Sequence, residues 1–179
     1  MTVFISGGCK NGKSSLAQDL AVTLSENGKR YYVATMIPGD EEDHARIARH
    51  VADRAGLGFE TVECGREILG CLSGVDRTGC FLLDSVTALL ANEMFRPNGM
   101  VDPDAPERVA AELCRFARQV GSAVFVSDFL YSDAAHFDAL TEQYRRGLAL
   151  VDRALAECCD TVVEVCSANY VLHKGVLPQ

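Results

Sequence analysis

The sequence predicts an α/β fold in which a mostly parallel sheet is covered by helices on both faces, and three observations carry that reading. Short apolar runs at Thr2–Ser6, Arg30–Thr35, Gly79–Ser85, Ala123–Ser127 and Thr161–Cys166 alternate with segments of helical periodicity. The first run passes straight into Gly7-Gly8-Cys9-Lys10-Asn11-Gly12-Lys13-Ser14, which meets the phosphate-loop pattern G-x-x-x-x-G-K-[ST] at every fixed position. The third run ends in a carboxylate, Asp84, the form taken by the strand that faces such a loop. Together they predict a three-layer α/β/α P-loop NTPase of the RecA-like kind, with residues 1–179 forming one nucleotide-binding domain.

The loop explains itself physically. Gly7 and Gly12 let the chain turn tightly enough for successive N–H groups to converge on an anion, and the helix starting near Lys13 adds the positive end of its dipole. Gly8, Cys9, Lys10 and Asn11 complete the cradle, and Ser15 continues it. Lys13 is expected to face solvent until it meets the outer phosphates, and Ser14 is expected to hold the Mg²⁺ that bridges them.

The remaining elements follow in order. Leu16, Leu20 and Leu24, with Ala17 and Ala21 beside them, make Ser14–Glu26 a helix that packs one stripe on the sheet; Asn27-Gly28 ends it. After the Arg30–Thr35 strand and a Pro38-Gly39 turn, Asp40 caps a helix whose first turn is acidic and whose body carries Arg46, His50 and Arg54. Spaced i, i+4, i+8, these three share one face. That face reads either as a solvated surface or as a phosphate-facing stripe.

Phe59–Glu63 reads as a short strand and Glu67–Leu72 as a short helix. Asp84 ends the next strand, where its carboxylate holds Mg²⁺ opposite Ser14. Val86–Phe95 is a helix containing Asn92. The loop through Pro97-Asn98-Gly99 and Pro103 is the candidate mobile segment over a ligand. Ala105–Gln119 is helical, and Ala123–Ser127 is buried strand. The loop Asp128–Asp133 follows at the sheet edge where ligands bind in open α/β folds. A long helix from about Ala135 to Cys158 is expected to bury Phe137, Leu140, Tyr144, Leu148, Val151 and Leu155, and Thr161–Cys166 is the last clear strand.

Composition narrows the function classes. At 179 residues and 48% hydrophobic the chain is an ordinary globular length and mix, and its net charge of −8 argues against nucleic acid or an anionic membrane as partner. No run reaches the roughly eighteen apolar residues of a membrane span, and the strand-like start is unlike a signal peptide, so a cytoplasmic protein is expected. Eight cysteines without a C-x-x-C pair read as buried thiols in a reducing compartment. Cys9, inside the positive field of the loop, is the one expected to be reactive.

With these residues in hand, the chain resembles the adenosylcobinamide kinase/adenosylcobinamide-phosphate guanylyltransferase family of cobalamin biosynthesis. The matching stretches are Gly7-Gly8-x-x-x-Gly12-Lys13-Ser14-Ser15, Tyr32-Val33-Ala34-Thr35, Arg46-Ile47-x-x-His50-x-x-x-Arg54, Phe59-x-Thr61-x-Glu63, Leu82-Leu83-Asp84-Ser85-x-Thr87, Asn92 and the long helix with Tyr144-Arg145. The resemblance implies an enzyme with two activities. ATP or GTP, with Mg²⁺, phosphorylates the hydroxyl of a corrinoid, and GMP from GTP is then moved onto that phosphate through a guanylyl-histidine, here His50. It further implies Lys13 and Asp84 as catalytic groups, Thr35, Arg46, Arg54 and Glu63 among the nucleotide contacts, and a homotrimer. A neutral imidazole is a competent nucleophile near pH 7, and Arg46 and Arg54 one turn to either side can steady phosphate charge.

Departures cluster in the second half. Where the family has Ser-Asn-Glu-Val-Gly, this chain reads Ser127-Asp128-Phe129-Leu130-Tyr131-Ser132-Asp133. The family's Asn in the long helix is Asp152, and its Gly-Ile-Pro after the last strand is Ala168-Asn169-Tyr170. Two alternative readings therefore stand beside the first: a paralogous P-loop kinase for another small alcohol, and a nucleotide-binding regulator that turns over little.

Overall fold

A computed structural model describes residues 1–131, 135–167 and 169–178. One seven-stranded sheet runs through the molecule in the order β3-β2-β4-β5-β1-β6-β7. Its strands are β1 (Thr2–Gly7), β2 (Arg30–Ala34), β3 (Glu60–Glu63), β4 (Cys80–Asp84), β5 (Ser122–Asp128), β6 (Thr161–Cys166) and β7 (Asn169–Lys174). All neighbours pair parallel except β7, which runs antiparallel to β6. The central strands are apolar throughout rather than alternating, because helices cover both faces.

The strand period of two sorts the side chains into two cores. Phe4, Tyr31, Val33, Phe81, Leu83 and Phe125 pack against α3 (Val86–Met94), α4 (Ala105–Gln119) and α5 (Ala139–Cys158). Val3, Ile5, Tyr32, Leu82, Val124 and Val126 pack against α1 (Lys13–Ser25), chiefly through Ala17, Leu20 and Ala21. Phe81 anchors the larger core, stacked on Tyr31 at 4.7 Å and edge-on to Phe116 at 5.5 Å. Fully burying a side chain of this size contributes about 1.5–3 kcal/mol. By the same alternation Asp84 and Asp128, at the carboxyl ends of β4 and β5, fall on the α1 face beside the phosphate loop.

Four sequence expectations need correction. The long helix begins at Ala139, not near 135, because Asp138 accepts from the N–H groups of Leu140 and Thr141 and caps it there. Phe137 and Leu140 are consequently 44% and 43% exposed, and the buried stripe consists of Leu148, Val151 and Leu155, with Tyr144 half-buried. Thr161–Cys166 is not the last strand, since β7 follows it. The segment 96–103 is pinned to its own side of the molecule, away from the site described below, by a Phe95–Val101 bridge and by ion pairs of Glu93 and Asp102 with Arg96 and Arg108. The 68–72 helix is a single 3-10 turn.

All eight cysteines are free; Cys71, Cys80 and Cys159 are buried, while Cys9 and Cys166 are exposed. Ser132, Asp133 and Ala168 lie outside the described residues.

Candidate functional site

The loop after β1 is shaped by two glycines that no other residue can replace. Gly7 has φ +155°, and a Cβ there would collide with the Val165 carbonyl oxygen; Gly12 has φ +95° and caps α1 without a side chain of its own. A helix started this way leaves its first N–H groups for an anion. Asn11 braces the loop, donating from Nδ2 to the Val165 carbonyl and accepting at Oδ1 from the Lys13 N–H.

Lys13 departs from expectation. Its side chain is 6% exposed rather than solvent-facing, with Nζ 2.8 Å from Asp128 Oδ1 and 2.6 Å from the Gly8 carbonyl oxygen. The cause is Asp128: at the end of β5 its carboxylate fills the place opposite the ammonium.

Asp84 faces the other side of the loop. Burial pushes its carboxyl above the usual range and nearby Asp128 adds to this, while His50, Ser14 and Lys13 oppose it. Asp84 Oδ2 is buried without a hydrogen-bond partner. Tyr32 lies against the same carboxylate; burial, then the charge of Asp84, raises its phenol. An orphaned carboxylate oxygen facing a P-loop serine is a donor arrangement that suits a hard divalent cation.

The helix α2 (Glu41–Asp53) brings the third group. Asp40 caps it by accepting from the Asp43 N–H at 2.9 Å, and no residue of the helix is buried. Its C-terminal end is fixed instead by Arg54, whose guanidinium lies 4.0 Å from the Tyr32 ring centroid and donates to Thr61 Oγ1 at 3.0 Å. This cation over an aromatic face holds the helix across the loop. His50, half-buried, turns its Nδ1 inward with no partner. Arg46 is exposed and within 4.0 Å of Glu42.

These groups line one cavity of about 900 Å³. Cys9, Lys10, Asn11, Gly12, Lys13, Ser14, Ser15, Arg46, His50, Arg54, Glu63 and Asp84 all contribute to its wall, as do Tyr32, Arg49 and Asp128. Five Lys and Arg side chains are gathered there, Lys10, Lys13, Arg46, Arg49 and Arg54, matched by five carboxylates, Glu42, Asp53, Glu63, Asp84 and Asp128. Gly7 and Gly8 do not line the cavity; their carbonyl oxygens accept from the Phe129 N–H and from Lys13 Nζ. Thr35 does not reach the cavity: it is fully buried, and its hydroxyl is bonded to the backbone of Ser85.

A second polar cluster lies on the opposite face of the sheet. Asp152 Oδ2 on α5 accepts from the Tyr131 hydroxyl at 3.1 Å, while Asp152 Oδ1, Ser127 Oγ and Ser6 Oγ are buried and unpartnered. Burial pushes the Asp152 carboxyl up to about 7, against the pull of Ser127 and Tyr131.

A family model described as cobinamide kinase / cobinamide phosphate guanyltransferase matches residues 3–171. No curated protein matches the chain. Among solved structures, the fold is similar to an ATPase domain at 10% identity, covering 97% of this chain and 76% of that one with a TM-score of 0.57. It is also similar to an ATPase from the type III secretion system of pathogenic bacteria (14% identity, 92% and 51% covered, TM-score 0.53). A KaiC-like protein from Pyrococcus horikoshii OT3 gives 11% identity, 97% and 78% coverage and a TM-score of 0.52. At such identities the likeness concerns the RecA-like fold alone.

Proposed function

The chain belongs to the cobinamide kinase / cobinamide phosphate guanyltransferase family, a family of transferases, and we propose that its phosphate loop and His50 serve the two reactions in one cavity. In the first, the loop N–H groups and Lys13 hold the triphosphate of ATP or GTP while the hydroxyl of a cobinamide attacks the outer phosphorus. In the second, an imidazole nitrogen of His50 attacks the α-phosphorus of GTP, pyrophosphate leaves, and the cobinamide phosphate takes the GMP from the histidine. Arg46 and Arg54 steady the charge at the α-phosphate.

Mg²⁺ fits the donors present. Ser14 and Asp84 would hold it, and its chemistry is to neutralise charge on the bridging phosphate oxygens. The described residues contain no group of three or more His, Cys, Asp or Glu suited to a metal, so phosphate and water would supply the remaining ligands.

One observation carries the reading: His50, whose Nδ1 is buried without a partner, lines the same cavity as Lys13 and Ser14. Because α2 buries no residue, the ring can approach the phosphates without disturbing a core. A homotrimer is part of the proposal; Val51 on α2 and Tyr170, Val171 and Leu172 on β7 are exposed apolar side chains that assembly would cover. Sedimentation tests it. A cytoplasmic setting suits the eight free thiols, and no described helix is long and apolar enough to cross a membrane.

The decisive experiment incubates the protein with GTP labelled at the α-phosphate. Acid-labile, base-stable label is expected on the wild type and none on His50→Ala; a wild type that never takes label removes the transferase step.

A further inference from the structure

Resting on the kinase half of that reading, we propose that Asp128 is the general base that takes the proton from the acceptor hydroxyl as it attacks the outer phosphorus. Asp128 Oδ1 touches the ammonium of Lys13 at 2.8 Å. When that ammonium turns to the outer phosphates, the carboxylate beside it borders the same phosphates. A carboxylate and a phosphate repel unless a proton or a cation lies between them. The cation side of the site is already provided for by Ser14 and Asp84, across the loop, so the group that fits between Asp128 and the phosphorus is a hydroxyl.

The two carboxylates differ in the way such a division of labour requires. Both line the cavity and both are half-buried, but Asp84 keeps Oδ2 buried without a partner, whereas the Asp128 side chain is 30% exposed and its Oδ1 is held by Lys13. The backbone around Asp128 is fixed independently of its side chain. Its N–H donates to Thr87 Oγ1 at 2.9 Å, and the Phe129 N–H donates to the Gly7 carbonyl oxygen at 2.9 Å. The end of β5 is thereby tied both to α3 and to the first residue of the phosphate loop, which holds the base in register with the phosphate site.

The step balances without a further reactant. The acceptor oxygen forms a bond to the outer phosphorus, the bond from that phosphorus to the bridging oxygen breaks, and the nucleoside diphosphate leaves with the electron pair. The hydroxyl proton passes to Asp128 and from there to solvent.

The test compares wild type, Asp128→Asn and Asp128→Glu in the full-length protein. Phosphorylated adenosylcobinamide formed from ATP and Mg²⁺ is followed by mass spectrometry, GTP affinity by titration, and the label on His50 as above. General bases contribute about 10²–10⁴-fold, so Asp128→Asn should lose at least about 100-fold in kcat. It should still bind GTP as tightly as wild type or more tightly, and still take label on His50, while Asp128→Glu recovers part of kcat. An Asp128→Asn turnover within a few-fold of wild type makes the carboxylate a mere placeholder for Lys13 and overturns the proposal. Parallel loss of GTP binding, label and turnover makes Asp128 structural and overturns it too. A wild type that labels His50 but never phosphorylates the alcohol refutes the kinase reading itself, and this inference with it.

Discussion

The hydroxyl of Thr35 makes two hydrogen bonds to one residue, donating to the Ser85 carbonyl oxygen at 2.8 Å and accepting from the Ser85 N–H at 2.8 Å. Ser85 in turn caps α3, accepting from the Ala88 N–H, and follows directly on Asp84. One buried hydroxyl thus fixes the end of β4 and the direction of its carboxylate. Thr35→Val keeps the shape but strands both backbone groups, at a cost of about 2–3 kcal/mol. Thr35→Ser should restore most of the loss. Urea unfolding of the two variants checks this, and equal stability would mean that water or a neighbour replaces the hydroxyl.

How much of this was legible beforehand depended on whether the physics was local. The phosphate loop could be read because every requirement, two glycines, a lysine and a serine, sits within eight consecutive residues. The stripe Arg46, His50 and Arg54 could be read because a helix turns spacing into a shared face. The Lys13–Asp128 pair spans the whole of the chain between β1 and β5, and only the parallel pairing of those strands brings it together. Thr35 looked like a ligand contact because it matches a family stretch at a strand end, but its partner is fifty residues away. Phe137 continues the apolar period of α5 past its true start, where the local bonds to Asp138 outweigh the period, and Leu140 falls in the exposed first turn. β7 is exposed along its whole length, so it lacks the buried run that marked the other strands.

Lys13 is expected to matter to the fold as well as to nucleotide binding. Lys13→Ala removes the ionic partner of Asp128, and because that carboxylate is partly open to solvent the cost should be about 1 kcal/mol rather than the several of a closed pair. Nucleotide binding should disappear. A double-mutant cycle with Asp128→Asn, read by chemical denaturation, should give a coupling of about 0.5–2 kcal/mol; no coupling would mean that the contact contributes nothing to the resting protein.

Glu93 is 2% exposed and holds three groups at once. Its Oε2 lies 3.1 Å from Arg96 and 3.2 Å from Arg108, and its Oε1 accepts from the Glu67 N–H at 2.6 Å. Glu93→Ala leaves a backbone donor and two guanidinium groups without this partner and should cost about 3 kcal/mol. The arginines retain Asp102, so the segment 96–103 should loosen rather than unfold the protein. Limited proteolysis should find new cleavage there in Glu93→Ala and none in wild type. Cleavage at the same rate in both would show that Glu93 does not pin the segment.

Asp152 makes stability depend on pH in a definite direction. Its folded-state pKa is raised to about 7, above the value of about 3.9 for an unfolded chain. The neutral carboxyl is therefore the form the fold prefers. This group's contribution is fully present below the unfolded value, and it is lost as pH rises through about 7, by as much as about 4 kcal/mol. Asp152→Asn keeps the acceptor for the Tyr131 hydroxyl and adds an amide that can donate to the unpartnered Ser127 or Ser6 oxygen. It also restores the residue of the family pattern. Since the other titrating groups are common to both proteins, their influence cancels in the difference. Asp152→Asn should match wild type near pH 4 and exceed it increasingly from pH 5 to 8, as measured by urea unfolding across that range. A difference that stays flat, or that favours wild type at pH 8, would mean the carboxylate finds a compensating cation or water when it ionises.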